Sequence, residues 1–305
     1  MRVAMVGLGK MGLNMARRLL RGGHEVVAFA RSAASVEAAA KEGALPAASL
    51  ADAVRQLPAP RVAWLMIPAG EPVSSAVREL AMLLSPGDVV VDGGNSRWTD
   101  AAPRAALLAE KGIRFLDAGT SGGVWGLEVG YCLMIGGDPS AFAEIEPLLA
   151  VLAPPGGYLH AGPHGAGHYV KMVHNGVEYG MMQAYAEGFE LLDAAPFPVD
   201  LHAVSALWNR GSVVRSWLLE LAERALAEDP TLSKLSPWVE DSGEGRWTVD
   251  AAVDAAVPLP AISAALFARF ASRRENPFGL RLLAALRNQF GGHAVKAATD
   301  PKGKG

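Results

Sequence analysis

Arg2-Val3-Ala4-Met5-Val6-Gly7-Leu8-Gly9-Lys10-Met11-Gly12 opens the chain with an apolar run that stops at a glycine and is punctuated by two more. A strand-like run flowing into Gly-x-Gly-x-x-Gly reads as a strand, a tight turn and the start of a helix. Each glycine has its own reason: the first makes the turn, the second lets the backbone approach a pyrophosphate, and the third lets helix and strand pack closely. Free N–H groups at the helix start, together with the helix dipole, favour the negative charge of phosphate. The stretch therefore predicts a dinucleotide-binding unit with Gly7, Leu8, Gly9, Lys10, Met11 and Gly12 as its phosphate loop.

Outward from this loop, short apolar runs alternate with amphipathic ones. Strand candidates are Arg2–Val6, Glu25–Ala30, Arg61–Ile67, Asp88–Val91 and Arg114–Asp117, with helix-like segments Lys10–Arg21, Pro72–Leu84 and Thr99–Lys111 between them. Such alternation implies a parallel sheet covered by helices on both faces. From about Gly165 the pattern turns helical: one long helix to about Asp193, shorter ones around Ala203–Trp208 and Val213–Ala227, and a last block from Pro260 to about Gln289. The stretch Tyr158–Gly165, rich in Gly, Pro and His, reads as a break between domains. The expected architecture is an α/β Rossmann-type doubly wound sheet domain over residues 1–163, followed by an all-helical C-terminal domain over 164–305 for substrate binding and oligomerisation.

A site that prefers NAD places Asp or Glu at the end of the second strand, to accept from the ribose 2′-hydroxyl, whereas arginine accommodates a 2′-phosphate. Here that position reads Ala30-Arg31-Ser32, with no acid, which favours NADP over NAD. Ile67, Pro68 and Ala69, at the end of the third strand candidate, are assigned to the same cofactor site.

Composition narrows the remaining possibilities. Of 305 residues, 50% are hydrophobic and 19% charged, and 28 Lys and Arg against 31 Asp and Glu leave a net charge of -3. No overall field then favours nucleic acid or an anionic membrane, so an anionic ligand must be met by a local site. Cys132 stands alone, which excludes an intrachain disulfide and a cysteine-rich metal site. No apolar run reaches membrane-spanning length. The glycine loop begins at Gly7 and leaves no room for a removable targeting segment, so the expected location is cytoplasmic.

Acid/base chemistry concentrates on Lys171-Met172-Val173-His174-Asn175-Gly176-Val177-Glu178-Tyr179-Gly180. At about 100° per residue, Lys171, His174, Asn175, Glu178 and Tyr179 share one side of a helix. Val173, Val177, Gly180 and Ala184 lie opposite and are expected to pack against protein. A lysine and a glutamate two turns apart, flanked by a histidine, an amide and a phenol, form an acid/base site on a rigid element. To start as a base near neutrality, Lys171 must titrate about three units below the usual value of roughly 10.4, a direction that burial and neighbouring cations supply.

Asp92-Gly93-Gly94-Asn95-Ser96 and Ser121-Gly122-Gly123 each follow a strand candidate, placing both at the carboxyl edge of the sheet, where open α/β sheets bind ligands. Asn95 is either a cap for the next helix or a donor to cofactor and substrate. Ser121, Gly122 and Gly123 offer a hydroxyl and successive N–H groups, a nest suited to a carboxylate. His160, His164 and His168 recur every four residues, but glycines and Pro163 interrupt the run and no acidic cluster accompanies it. They read as solvated or capping loop histidines, and no metal is expected. Arg269, Arg287 and His293 are basic residues in apolar sequence, either snorkelling side chains or a phosphate-recognition set.

Taken in order, Gly7–Gly12, Asp92–Ser96, Ser121–Gly123, Lys171–Gly180, Gly245-Arg246-Trp247-Thr248, Leu266-Phe267-Ala268-Arg269 and Arg287–His293 resemble the decarboxylating 6-phosphogluconate dehydrogenases, specifically the short-form branch within the β-hydroxyacid dehydrogenase superfamily. The resemblance implies oxidation of 6-phosphogluconate to ribulose 5-phosphate and CO2 in the pentose phosphate pathway, with Lys171 as general base and Glu178 as general acid. It implies Asn95, Ser121, Gly122, Gly123, His174, Asn175, Tyr179 and Arg269 around the sugar acid. Arg287 and His293 match a tail that reaches into a neighbouring subunit's site, implying a homo-oligomer, dimer or tetramer, with shared active sites. Two positions depart from the long forms. Glu244 stands where they carry threonine near the phosphate, in a loop that lacks their lysine, and Val124 stands where they carry glutamate.

Two other readings share part of the pattern. A β-hydroxyacid dehydrogenase that does not decarboxylate, acting on an unphosphorylated acid, explains Lys171 and Asn175 but not Glu178 or the late basic residues. A non-catalytic NADP-binding protein explains the glycine loop and Arg31 but has no use for Lys171 and Glu178 on one face.

Overall fold

β1 (Arg2–Val6) leads through the glycine loop into α1 (Lys10–Arg21). The alternation continues through β2 (Glu25–Phe29), α2 (Ala33–Lys41), β3 (Leu45–Pro46), α3 (Leu50–Arg55), β4 (Val62–Leu65), α4 (Glu71–Leu83), β5 (Val89–Asp92), α5 (Ala101–Ala109) and β6 (Arg114–Ser121). α6 (Gly126–Val129), β7 (Cys132–Gly137), α7 (Pro139–Leu152) and β8 (Tyr158–Gly162) complete the sheet, and α8 (Ala166–Asp193) leaves it. The eight strands lie in the order β3-β2-β1-β4-β5-β6-β7-β8. Neighbours are parallel except β6 with β7. The first six follow the order of dinucleotide folds, with the switch point between β1 and β4.

Val3 and Met5 of β1 face one apolar layer, with Met15 and Leu19 of α1. Ala4 and Val6 face the other, with Val73 and Val77 of α4. Strands buried on both faces carry no polar alternation, which is why they read as continuous apolar runs.

The computed structural model describes residues 1–291 and 294–296. After α8 come α9 (Leu201–Trp208), α10 (Trp217–Glu228), α11 (Glu244–Asp254), α12 (Pro260–Ser272) and α13 (Phe278–Gly291). The chain forms two compact units: Met1–Glu178 with Gly243–Pro258, and Tyr179–Ser242 with the segment from Leu259 onward. α11 thus belongs with the sheet.

Several elements differ from the sequence expectations. β6 continues to Ser121 rather than stopping at Asp117. β8 occupies much of the stretch that reads as a break, Tyr158–Gly165. It is an edge strand with a register shift at Ile135/Gly136, and His160 Nε2 lies 2.9 Å from the Gly137 carbonyl. A half-exposed edge strand of this composition has little apolar signal to announce it. The expected single block from Pro260 divides ahead of Phe278, where Pro277 cannot supply an interior helical N–H.

Candidate active site

In the loop between β1 and α1 the glycines have distinct causes. Gly7 has φ +100°, and a Cβ there would lie 2.3 Å from the Met66 carbonyl oxygen. At Gly12 a Cβ would lie 2.1 Å from the Gly7 oxygen. At Gly9, by contrast, a Cβ would meet nothing within 4 Å. Packing accounts for the first and third glycines and leaves the second open to an approaching ligand. The N-terminus of α1 has no side-chain cap and no acid in its first turn, so its N–H groups remain available for phosphate. These residues fit a bound dinucleotide. Ser32 caps α2 by accepting from Ser35 N at 3.4 Å, and Arg31 is exposed beside it.

The loop after β5 packs backbone to backbone on the loop after β4. A Cβ at Gly94 would stand 2.4 Å from the Ile67 oxygen, which places the Asp92–Ser96 loop beside the predicted cofactor residues Ile67, Pro68 and Ala69. Asn95 adopts φ 51°, a left-handed conformation that asparagine tolerates. Its side chain accepts from Thr120 N at 2.9 Å and donates to the Thr120 carbonyl at 3.1 Å. The amide therefore joins this loop to β6 rather than capping a helix.

Beneath the loop lies a buried ionic cluster that the sequence did not announce. Asp92 accepts from Arg104 Nη1 at 2.9 Å and lies 3.3 Å from His168 Nε2. Arg104 also donates to the Gly70 carbonyl and Ser74 Oγ, both at 3.1 Å, linking the β4 and β5 loops. Burial pushes the His168 imidazole down, but hydrogen bonding and charge from Asp92, aided by Asp117, outweigh it and hold the ring above its usual value. Burial likewise raises Asp92, and His168 with Arg104 outweighs it, so the carboxyl titrates low. His168 is thus neither a solvated nor a capping loop residue. It sits inside α8, buried against the sheet.

Asp117 fixes where α8 starts. Its carboxylate accepts from Gly165 N at 2.7 Å and from His168 N at 2.9 Å, satisfying N–H groups that the first turn leaves without partners. The helix then lies directly on backbone: a Cβ at Gly167 would stand 2.4 Å from the carbonyls of Asp117 and Met134. One at Gly119 would stand 2.4 Å from Lys171 Cβ. Gly119 and Gly167 let the helix approach this closely, so Lys171 is pinned above the carboxyl end of β6.

Lys171 is 5% exposed, and its Nζ donates to Asn175 Oδ1 at 2.5 Å with His174 Nδ1 3.4 Å away. His174 Nε2 in turn lies 3.3 Å from Ser121 Oγ, tying the Ser121-Gly122-Gly123 loop to the same helix face. Glu178 Oε2 is 3.9 Å from His174 Nδ1. Asn175 Nδ2 donates to the carboxylate of Glu244, the first residue of α11. Burial pushes the Lys171 amine down, partly opposed by Glu244, Glu178 and Cys132, and burial pushes the Glu244 carboxyl up, partly opposed by Lys171 and Asn175. The opposite face packs only in part: Val173 and Gly180 are half-buried, while Val177 is 48% exposed and Ala184 is exposed; on the inward side His168, Lys171, Met172 and Gly176 are buried. Lys171 turns inward, where Asn175 accepts from its amine, while the His174 and Glu178 side chains remain 37% and 39% exposed.

Tyr179 and Arg269 meet in the second unit. The Arg269 guanidinium carbon lies 3.5 Å from the Tyr179 ring centroid, the Tyr179 hydroxyl accepts from Ser242 N at 3.1 Å, and Arg269 Nη1 donates to the Glu240 carbonyl at 3.0 Å. Arg287 is exposed on α13. His293 lies outside the described residues. Among the described residues, no group of three or more His, Cys, Asp or Glu is arranged to hold a metal ion.

A glycine loop at a sheet's switch point, with a buried lysine on the helix that leaves the sheet, defines an NAD(P)-binding oxidoreductase. The NAD binding domain of 6-phosphogluconate dehydrogenase matches residues 2–162, and the 6-phosphogluconate dehydrogenase C-terminal domain matches residues 167–277. The chain belongs to the 6-phosphogluconate dehydrogenase family. It is 46% identical to the NAD(+)-dependent, decarboxylating 6-phosphogluconate dehydrogenase of Haloferax volcanii, over 98% of this chain and 100% of that protein. The Plasmodium falciparum 6-phosphogluconate dehydrogenase, solved with NADP+ and with 6-phosphogluconate, superposes with a TM-score of 0.83 at 27% identity, over 100% of this chain and 67% of that one. The 3-hydroxyisobutyrate dehydrogenase of Mycobacterium tuberculosis gives 0.72 at 27% identity, over 89% and 94%.

Proposed function

We propose that the protein oxidises and decarboxylates 6-phosphogluconate to ribulose 5-phosphate and CO2. The observation that carries this reading is the buried Lys171 amine, held by Asn175 and facing Glu178 along one helix, in a chain of this family. A bound oxidised dinucleotide supplies the hydride acceptor. Lys171, as general base, takes the C3 hydroxyl proton as the C3 hydrogen leaves as hydride. The resulting ammonium then gives that proton to the C3 ketone oxygen as the C2–C1 bond breaks, so the electron pair becomes an enediol while C1 departs as CO2. Glu178, as general acid, protonates the carbon that becomes C1 of the product.

His174 and Ser121, already hydrogen-bonded, are proposed to hold the sugar chain with Asn95, Asn175, Gly122 and Gly123. Tyr179 and Arg269 are proposed substrate contacts, Arg269 by its match to the planar demands of a phosphate. Residues Gly7–Gly12, Ala30–Ser32, Ile67–Ala69 and Asn95 are proposed to bind the dinucleotide, and the domain limits 1–163 and 164–305 to separate cofactor and substrate roles. Arg31, with no acid beside it, favours NADP. Arg287 and His293 are proposed to complete a neighbouring subunit's site in a homo-oligomer. Among the described residues no helix is long and apolar enough to cross a membrane, and a cytoplasmic location is proposed from the lone cysteine.

A substrate and cofactor panel tests the reading. With NADP, 6-phosphogluconate is expected to exceed gluconate and small hydroxy acids in kcat/KM by at least about a hundredfold, the scale lost when a charge-paired contact goes unmade. Arg31→Ala is expected to lower kcat/KM with NADP and leave that with NAD nearly unchanged. A preference for an unphosphorylated acid would favour the non-decarboxylating reading. Binding of NADP without turnover of any acid would favour a sensor.

A further inference from the structure

Glu244 has no part in the chemistry above, yet it is a carboxylate only 8% exposed within the acid/base cluster. Its position is built rather than incidental. α11 packs on α8 where Gly176 leaves room for Thr248: a Cβ at Gly176 would lie 2.7 Å from the threonine methyl carbon. Thr248 Oγ1 is 2.9 Å from the Met172 carbonyl oxygen and 2.8 Å from that of Glu244, stapling the first turn of α11 to the helix that carries Lys171. Gly243, at φ +91°, makes the left-handed turn ahead of that first residue. The N-terminal end of α11 is also the end at which a helix favours negative charge.

The hydrogen bonds then run in one direction. Lys171 Nζ donates to Asn175 Oδ1, and Asn175 Nδ2 donates to Glu244. An amide with a donor at its oxygen and an acceptor at its nitrogen has only one orientation that satisfies both. The asparagine cannot turn over without presenting its N–H groups to the lysine and its oxygen to the carboxylate.

We propose that Glu244 is a positioning residue of the acid/base site: acting through the Asn175 amide, it aims the Lys171 amine and supplies the negative charge against which Lys171 holds its proton between oxidation and decarboxylation. This rests on the reaction proposed above. Hydride loss and proton transfer to Lys171 place a cation in a buried site, and that cation must persist until the ketone oxygen reclaims the proton. A buried ammonium without a counter-charge is costly. Glu178, on the same helix, is committed to the last proton transfer and lies 3.9 Å from His174 Nδ1. Glu244 is left free for the counter-charge and is joined to Lys171 through the Asn175 amide. The groups facing Lys171 are Glu244 of α11, Glu178 and His174 of α8, and Cys132 of β7; those facing Glu244 are Lys171, Glu178 and His168. Removing the Glu244 charge while keeping its shape leaves the hydrogen-bond chain intact and makes the ammonium less favourable.

The test uses the full-length protein and its Glu244→Gln variant with two readouts. The first is competitive acetylation of the Lys171 amine by acetic anhydride from neutral to alkaline pH, read by peptide mass spectrometry without substrate. The second is the pH profile of kcat/KM for 6-phosphogluconate. Glu244→Gln is expected to move the labelling midpoint of Lys171 down by about one unit, the scale of losing one nearby opposite charge. The acid limb of the rate profile moves the same way, and kcat falls several-fold with little change in KM. An unchanged midpoint overturns the proposal, whether or not the enzyme turns over. A shifted midpoint in a protein that does not act on 6-phosphogluconate supports the Glu244 assignment and instead removes the proposed reaction. A Glu244→Gln protein that fails to fold also overturns it, because a group acting through charge on Lys171 is replaceable by its isostere.

Discussion

Lys171 and His168 stand one turn apart on α8 and are buried alike, yet they titrate in opposite directions. The difference lies in what faces them. His168 meets the fully buried Asp92 carboxylate at 3.3 Å, whereas the Lys171 amine reaches charge chiefly through an amide. Linkage fixes the consequence for stability. Asp92, held low, contributes stability above its unfolded value of about 3.9 and loses it as pH falls through its folded value. His168, held high, contributes fully below its unfolded value of about 6.5 and loses that contribution as pH rises through its folded value. Together they contribute most between about pH 4 and 6.5. His168→Gln is expected to flatten the decline of Tm on the alkaline side, measured by calorimetry across pH. An alkaline slope identical to the unsubstituted protein would show that His168 is not charged in the fold. The helix-borne residues of the candidate site were legible as a group because helical spacing puts Lys171, His174, Asn175 and Glu178 on one face. Asp92 with His168, and Glu244 with Asn175, were not, because each pair meets only after the chain has folded back from far along the sequence.

For the elements, the decisive contact is α8 on β6 and β7. Gly119 and Gly167 let backbone meet backbone, and Asp117 caps the helix start. Sequence periodicity located α8 but not its inward side, since an amphipathic helix normally buries its apolar stripe. Here the buried side mixes His168 and Lys171 with Met172 and Gly176, which the close approach to β6 explains. Gly119→Ala would place a methyl 2.4 Å from Lys171 Cβ and 2.6 Å from the Gly167 carbonyl. It is expected to destabilise the fold by about 1–3 kcal/mol as an overpacking substitution, and to lower kcat because the lysine must move. Gly188→Ala, farther along the same helix and with nothing within 4 Å of the added carbon, is expected to stabilise by about 0.5–1 kcal/mol. Chemical denaturation of the two variants side by side checks the contrast, and equal destabilisation would refute the packing argument. β7 and β8 escaped the sequence pattern because their apolar runs are short: four residues ahead of Gly136 and Gly137 in β7, and Tyr158 and Leu159 ahead of His160 in β8.

At the scale of the whole molecule, the α/β half and the helical half were both legible, the first from strand–helix alternation and the second from its absence. The path of the chain was less so: α11 returns to the sheet-bearing unit, bringing Glu244 with it. α13 leaves Phe278, Leu280, Leu282, Leu283 and Leu286 exposed, an apolar face larger than scattered surface residues account for. It supports the proposed homo-oligomer, and sedimentation is expected to give a dimer or tetramer that Leu283→Glu weakens; a monomer at micromolar concentration would contradict shared sites. Whether Lys171 drives oxidation coupled to decarboxylation is read most directly from the stoichiometry of the reaction on 6-phosphogluconate isotopically labelled at C1. One labelled CO2 is expected for each reduced cofactor, with both products reduced by about 10²–10⁴-fold in Lys171→Met. Reduced cofactor formed without labelled CO2, or full activity in Lys171→Met, would contradict it.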